Sequence, residues 1–257
     1  MPDMDRLSIE QRFHDRQARE RAEEFTRRPD RLSFSDALYL DHETWIRPAF
    51  ARLGDIQGLR VLDFGCGHGM AAVVLARHGA RVTAFDLSQG YLDEARRRAR
   101  ANEVTIDFVA ADGQLLPFAD ASFDRICGNA VLHHLDLVRA ARELYRVLRP
   151  GGVAVFSEPW GENPLLSWAR ARLPYTGKQR TPEETPLCQG DIHLLETVFP
   201  RVELHGYQLL SMVRRVVGRP RRLMAGLDWC DDLLLRRVPA LRRYCRYMVV
   251  TFRRPLV

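Results

Sequence analysis

A single lysine, Lys178, stands among the 39 basic residues of this 257-residue chain, and all the others are arginine. Such a bias is read as GC-rich codon usage rather than selection for phosphate binding, so the net charge of +6 is weak ground for expecting a nucleic-acid partner. A basic balance bears on solubility and loose association rather than on fold. The five cysteines (Cys66, Cys127, Cys188, Cys230 and Cys245) are odd in number and form no C-x-x-C pair. Neither a disulfide framework nor a metal site is expected, and free thiols fit a reducing, cytoplasmic setting. No apolar run approaches the roughly 18 residues that cross a bilayer. Residues 1–10 are charged where a secretion signal has an apolar core. Internal repeats and low-complexity tracts are absent. The length and an apolar content of 46% fit one globular α/β domain with insertions and a substantial core.

Two helical stretches are expected ahead of the first strand. Residues 5–28 carry Phe13, Ala18, Ala22 and Phe25 at helical spacing, and Pro29-Asp30 ends them. Residues 36–53 form the second, with Pro48 as a kink or restart. Together, residues 1–57 are read as an N-terminal helical cap. Strands and helices then alternate: strands at 60–63, 81–86, 106–110, 123–127 and 153–157, with helices at 70–78, 91–102 and 135–148 between them. Arg149-Pro150-Gly151-Gly152 is read as the stop after the last of these helices. Such alternation predicts a parallel sheet covered on both faces. The pattern lapses over 158–190, a proline-rich insertion at the carboxyl end of a strand, where loops that contact substrate tend to lie. A helix at 191–199 and strands at 202–209 and 247–252 complete the sheet. A basic, helix-prone insertion at 212–243 falls between those two strands.

The chemistry is concentrated in Val61-Leu62-Asp63-Phe64-Gly65-Cys66-Gly67-His68-Gly69. A buried-strand pattern runs into three glycines at alternate positions and then into a helix. This arrangement leaves backbone N–H groups facing a ligand that can approach the bare main chain. Asp86, about twenty residues on, ends the second strand, where an acid can accept from both hydroxyls of a ribose. The series VLDFGCGHG (61–69), FDLS (85–88), AADGQLLPF (110–118), FDRICGNAVLHHL (123–135) and RVLRPGGVAVFSEP (146–159) resembles class I S-adenosylmethionine-dependent methyltransferases. The likeness is to the bacterial group of small-molecule and ubiquinone-biosynthesis enzymes. It covers roughly residues 58–157 and implies a Rossmann-like, seven-stranded, mostly parallel sheet with helices on both faces. It also implies the cofactor S-adenosyl-L-methionine, with S-adenosyl-L-homocysteine as product. On this resemblance Asp63 and the backbone of Gly65, Cys66 and Gly67 hold the methionine end, and Asp86 binds the ribose. Leu87 packs on the adenine, Asp112 and Gly113 meet its edge, and Asn129 lies beside the sulfonium. Each acid also has a structural alternative; Asp63 can cap the turn, and Asp112 can close an Asx-turn.

Methylating a hydroxyl requires orienting the acceptor and removing a proton. His133 and His134 follow the fourth strand and Glu158 ends the fifth, which makes them the candidate base and its helper. The alternative is that the His-His pair only shapes the site. Tyr39 and His42 in the cap, and Trp160 at the start of the first insertion, are candidates to contact the acceptor. Packing for Tyr39 and a surface position for His42 are the alternatives. A small-molecule acceptor is expected rather than a nucleic acid. The turn after the fourth strand reads Gly128-Asn129-Ala130-Val131 rather than the Pro-Pro clamp of amino-methylating DNA enzymes, and the chain contains no Pro-Cys dipeptide. The arginines of both insertions (170, 172 and 180 with Lys178; 214, 215, 219, 221 and 222) are read as a solvated surface, with an anionic acceptor as the alternative. The apolar side of 223–235 is read as packed on the core, with an oligomer contact or peripheral membrane contact as alternatives. O-methylation is placed slightly ahead of C- or N-methylation, in secondary or isoprenoid-lipid metabolism. A macromolecule methyltransferase and a non-catalytic cofactor-binding protein are the competing readings.

Overall fold

The computed structural model describes residues 11–22, 28–172, 185–217 and 220–256. Phe25, Tyr175, Lys178, Arg180 and Arg219 lie outside them. Among the described residues, seven strands form one sheet in the order β3-β2-β1-β4-β5-β7-β6. They are β1 (Arg60–Phe64), β2 (Arg81–Asp86), β3 (Asp107–Ala110), β4 (Phe123–Asn129), β5 (Leu148–Pro159), β6 (Val202–Tyr207) and β7 (Tyr247–Arg253). The first five run parallel, and β7 pairs antiparallel with both β5 and β6.

Side chains alternate between the two faces with the strand period of two. On one face Leu62, Phe64, Ile126, Ala154 and Phe156 meet α6 (Leu137–Val147) and α8 (Gln189–Glu196). On the other, Val61, Val82, Cys127, Val153 and Val155 meet α3 (Ile46–Arg52), α4 (Met70–Arg77) and Leu92 of α5 (Gln89–Ala101). Burial on both faces explains the near-continuous apolar runs of the parallel strands.

Two boundaries differ from the sequence reading. The cap helix breaks at residues 41–45, between α2 (Asp36–Leu40) and α3, and not at Pro48. Pro48 falls in the first turn of α3, where a missing N–H costs nothing because those groups have no intrahelical acceptor. The Arg149–Gly152 tract, read as a stop, belongs to β5. The Gly151 N–H donates to the Arg254 carbonyl (3.0 Å), and the Arg254 N–H donates to the Gly152 carbonyl (3.1 Å), so pairing with the segment after β7 continues through it.

The sequence order reverses between β1 and β4, which are neighbours although other strands separate them in the chain. Ligands of open α/β sheets bind outside the carboxyl ends of the strands at such a switch point. Both insertions open from the same end. The stretch after β5 leads into α7 (Pro164–Arg172), and the stretch after β6 into α9 (Arg214–Val217) and α10 (Arg221–Arg237). α10 is tied back by buried Asp231, whose carboxylate accepts from the N–H groups of Leu209 (3.0 Å), Leu210 (2.7 Å) and Ser211 (3.2 Å).

Trp160 corrects an expectation. Its side chain is 1% exposed and packs with Leu187, Ile192 and Met248 in the core. Its backbone bridges to Leu187, which turns the indole inward. Trp160→Ala is expected to lower unfolding stability by about 3–5 kcal/mol through loss of buried contact and the cavity left behind, as measured by urea denaturation.

Candidate functional site

A cavity of about 280 Å³ opens at the switch point. Asp63, Gly65, Cys66, Gly67, Asp86, Leu87, Asp112, Gly113 and Asn129 all line it, so one space gathers every position assigned to the cofactor by resemblance. β1 delivers Asp63, β2 delivers Asp86, and Asn129 closes β4. The glycine turn supplies the near wall. Gly67 has φ +50°, and a Cβ built on it would meet nothing within 4 Å, so its backbone faces open space. Gly65 differs: with φ +66°, its Cβ would lie 2.5 Å from a Val131 methyl. It is needed for the close approach of the loop after β4.

The three acids are held differently. Asp63 is 2% exposed. Its Oδ1 lies 3.9 Å from the Cys127 thiol, while its buried Oδ2 has no hydrogen-bond partner. Burial pushes its pKa up to about 7, the Ala72 N–H opposes that rise, and nearby Asp86 adds to it. A buried acceptor without a donor is costly in an interior, and on a cavity wall it marks where a cationic or donor group belongs. The Asp86 carboxylate accepts from the Gly67 N–H (2.8 Å) and the Ser88 N–H (2.9 Å). Burial raises its pKa, and those two bonds act in the opposite direction. Asp112 accepts from the Gln114 N–H (2.9 Å), so it closes an Asx-turn and faces the cavity at once. Gly113 packs beneath it; a Cβ there would lie 2.7 Å from the Phe64 ring.

The candidate catalytic residues separate. His134 lines the cavity. His133 and Glu158 are buried behind it, with Glu158 fully enclosed, and neither is among the lining residues. Glu158 Oε1 accepts from the Val131 and Leu132 N–H groups (both 2.9 Å), and Oε2 lies 2.7 Å from His133 Nδ1. The Ala130 N–H donates to the Ser157 carbonyl (2.7 Å), and Ala130 has φ +55°. The end of β5 therefore clamps the loop that forms the cavity floor, one residue of it in a left-handed conformation unfavourable for alanine. The expectation that Glu158 and His133 face the reacting group is corrected: the carboxylate is consumed by backbone donors. Tyr39 lines the cavity and also an apolar recess of about 20 Å³, walled by Ile46, Ala49, Phe50 and Leu53. Burial, with Asp63 adding to it, pushes the Tyr39 phenol well above its usual range. His42 is exposed and lies outside the cavity lining.

Three polar rings in the lining were not anticipated, those of His14, Tyr91 and His68. His14, on the helix over residues 11–22 (α1), enters the cavity with its ring 6.0 Å from that of His134 and 5.5 Å from that of Tyr91. α1 is fastened to α5 by polar contacts. Ser88 Oγ donates to Asp15, Tyr91 donates to Gln17 (2.6 Å), and Arg21 forms two bonds with Glu94 (2.9 and 3.1 Å). The third residue, His68, lies in the glycine turn; burial, with Arg21 and Arg98 nearby, pushes its pKa down to about 3, so the ring is neutral. Helical spacing over residues 5–28 indicated a cap, but nothing local marks His14, because Asp15 and Ser88 are 73 residues apart in the chain.

Residues 62–156 match the family model described as a methyltransferase domain. That stretch, a little over a third of the chain, resembles a methyltransferase domain. Over 108 residues it is 43% identical to a malonyl-[acyl-carrier protein] O-methyltransferase of Enterobacter lignolyticus, covering 42% of this chain and 41% of that protein. Over 99 residues it is 40% identical to a ubiquinone biosynthesis O-methyltransferase of Methylocella silvestris, covering 38% and 39%. The chain thus spans about two fifths of the length of these curated relatives. A solved S-adenosylmethionine-dependent methyltransferase from Mesorhizobium loti shares the fold, with a TM-score of 0.59 and 23% identity over 84% of this chain and all of that one.

Asp63 gives a direct test of this site. Its folded pKa of about 7 lies above the unfolded value near 4. Between those values the native state holds a proton that the unfolded state has released, so stability falls as pH rises from about 4 to 7. Asp63→Asn is expected to raise unfolding stability at pH 8 by on the order of 3 kcal/mol, with the gain vanishing near pH 4. Urea denaturation of both proteins across that range measures it.

Proposed function

We propose that this protein transfers a methyl group from S-adenosyl-L-methionine to a small organic acceptor, with oxygen the favoured target. The observation that carries the reading is the unpartnered Oδ2 of buried Asp63 on a cavity wall, beside a glycine turn that leaves space for a ligand at Gly67. That donor set fits a zwitterionic amino acid joined to a nucleoside. Asp63 would hold the ammonium, Gly65 to Gly67 the carboxylate end, and Asp86 the ribose hydroxyls. Leu87, Asp112 and Gly113 would frame the adenine, and Asn129 would lie next to the sulfur. When bound, the cofactor supplies a methyl group activated by a positive sulfonium.

The chain's own contribution is orientation, exclusion of water and handling of one proton. Of the three histidines that line the cavity, His134 is the one on the loop that follows Asn129, and its ring can accept a proton from an acceptor hydroxyl. Glu158 and His133 would act through it, as positioning residues that fix the loop carrying its ring. Tyr39 and the apolar recess behind it favour an acceptor with an apolar face. Both curated relatives named above are O-methyltransferases, which supports oxygen as the target. Free cysteines fit a reducing cytoplasm, and among the described residues no helix is long and apolar enough to cross a membrane.

Calorimetric titration with S-adenosylmethionine tests the cofactor assignment. Asp86→Ala is expected to weaken binding about ten- to hundredfold through lost hydrogen bonds to a charged acceptor. Unchanged affinity would contradict the ribose contact. His134→Ala is expected to lower kcat by about 10²–10⁴ while leaving cofactor affinity intact. Glu158→Ala is expected to lower turnover and unfolding stability together, because it strands two buried N–H groups. Full turnover by His134→Ala removes the general-base role.

A further inference from the structure

The net charge of this protein is not spread over it. Residues 212–243 hold nine arginines and three acids, a net +6, while the rest of the chain carries 30 basic and 30 acidic residues and is neutral. The three acids are occupied locally. Asp231 is 5% exposed and capped by backbone N–H groups, Asp228 pairs with Arg214, and Asp232 pairs with Arg236. Arg222, Arg237 and Arg243 are exposed, and among the described residues no carboxylate pairs with them.

The same surface carries large apolar side chains. The sequence reading packed the apolar side of 223–235 on the core, and Met224 is buried at 6% exposure. Leu223 and Trp229, however, are 51% and 65% exposed, as is Val238 at 46%. Along the outer stripe of α10, Arg222, Trp229 and Arg236 recur every seven residues. The indole is therefore flanked by cations about 10 Å to either side. The surface continues into the first insertion. The turn at Pro239–Tyr244 follows α10, and Asn163 donates to the Tyr244 carbonyl (2.6 Å) at the start of α7, where Leu165 and Trp168 are also exposed.

We propose that this surface of α10 and the turn after it docks on an anionic lipid bilayer. Arginine at the headgroup level with tryptophan and leucine between is the composition of interfacial helices. An electrostatic partner alone, such as RNA or an acidic protein, would explain the arginines but not the exposed Leu223 and Trp229. Both insertions leave the sheet at the end that holds the cofactor cavity, so docking presents that end to the membrane. The docking reading does not depend on methyl transfer, because its test needs neither cofactor nor acceptor.

The test is co-sedimentation of the full chain with phosphatidylcholine vesicles, with and without phosphatidylglycerol. Binding is expected only with the anionic lipid, and its loss is expected at 1 M salt, where the screening length is about 3 Å. In a Trp168→Phe background, the other tryptophans besides Trp229 are Trp45 and Trp160, both buried, so a blue shift of emission on binding reports Trp229 entering the interface. The combined Arg222→Glu, Arg237→Glu and Arg243→Glu variant is expected to partition at least about a hundredfold less, roughly fivefold per arginine, with an unchanged circular dichroism melt. The proposal is overturned if that variant partitions like the wild type. It is also overturned if Trp229 emission does not shift on binding, or if the chain ignores anionic vesicles while binding RNA or an acidic protein.

Discussion

A carboxylate buried at the end of the first strand organises this molecule. Asp63 is held among Cys127, Ala71 and Tyr39, where desolvation opposes its charge, and one of its oxygens meets no donor from the protein. No fold gains stability from such a group. It lies on the cavity wall, where the proposed function assigns it the ammonium group of the cofactor. The neighbouring strands are arranged around the cavity that it lines. β4 lies next to β1 because the chain reverses there, the glycine turn leaves room above, and Asp86 braces the turn through Gly67.

The loop after β4 illustrates how a charge can shape a site without taking part in it. Glu158 spends one oxygen on two backbone N–H groups and offers the other to His133. The strained backbone at Ala130 persists because its neighbours on both sides are fixed by the end of β5. His134 is thereby presented to the cavity by a fixed loop, which suits the proton-accepting role proposed for it.

Much of this was legible in the sequence because it is local. The strand–glycine–helix punctuation around Asp63, the acids at the ends of β2 and β3 and the alternation of elements each occupy a few consecutive residues. What was missed depends on contacts distant in sequence. His14 reaches the cavity through a helix whose anchors lie on α5. Glu158 reads like a cavity residue, since it ends a strand pointing there, but the backbone donors that claim it belong to another loop. Trp160 follows it by two residues and is buried in the core beside Leu187, to which its backbone bridges, a pairing that no motif encodes. The exposed Leu223 and Trp229 escaped for a related reason: helical periodicity shows that a face is apolar, not what covers it.

The separation of a neutral body from a charged insertion also governs how the molecule behaves among its own copies. A protein near zero net charge lacks the mutual repulsion that keeps molecules apart in solution, and without residues 212–243 this chain would meet that condition at neutral pH. The insertion supplies the colloidal repulsion of the whole chain from one side. Neutralising it, whether by mutation or by a bound polyanion, removes the repulsion between molecules at the same stroke, so that occupancy of that face and self-association are coupled.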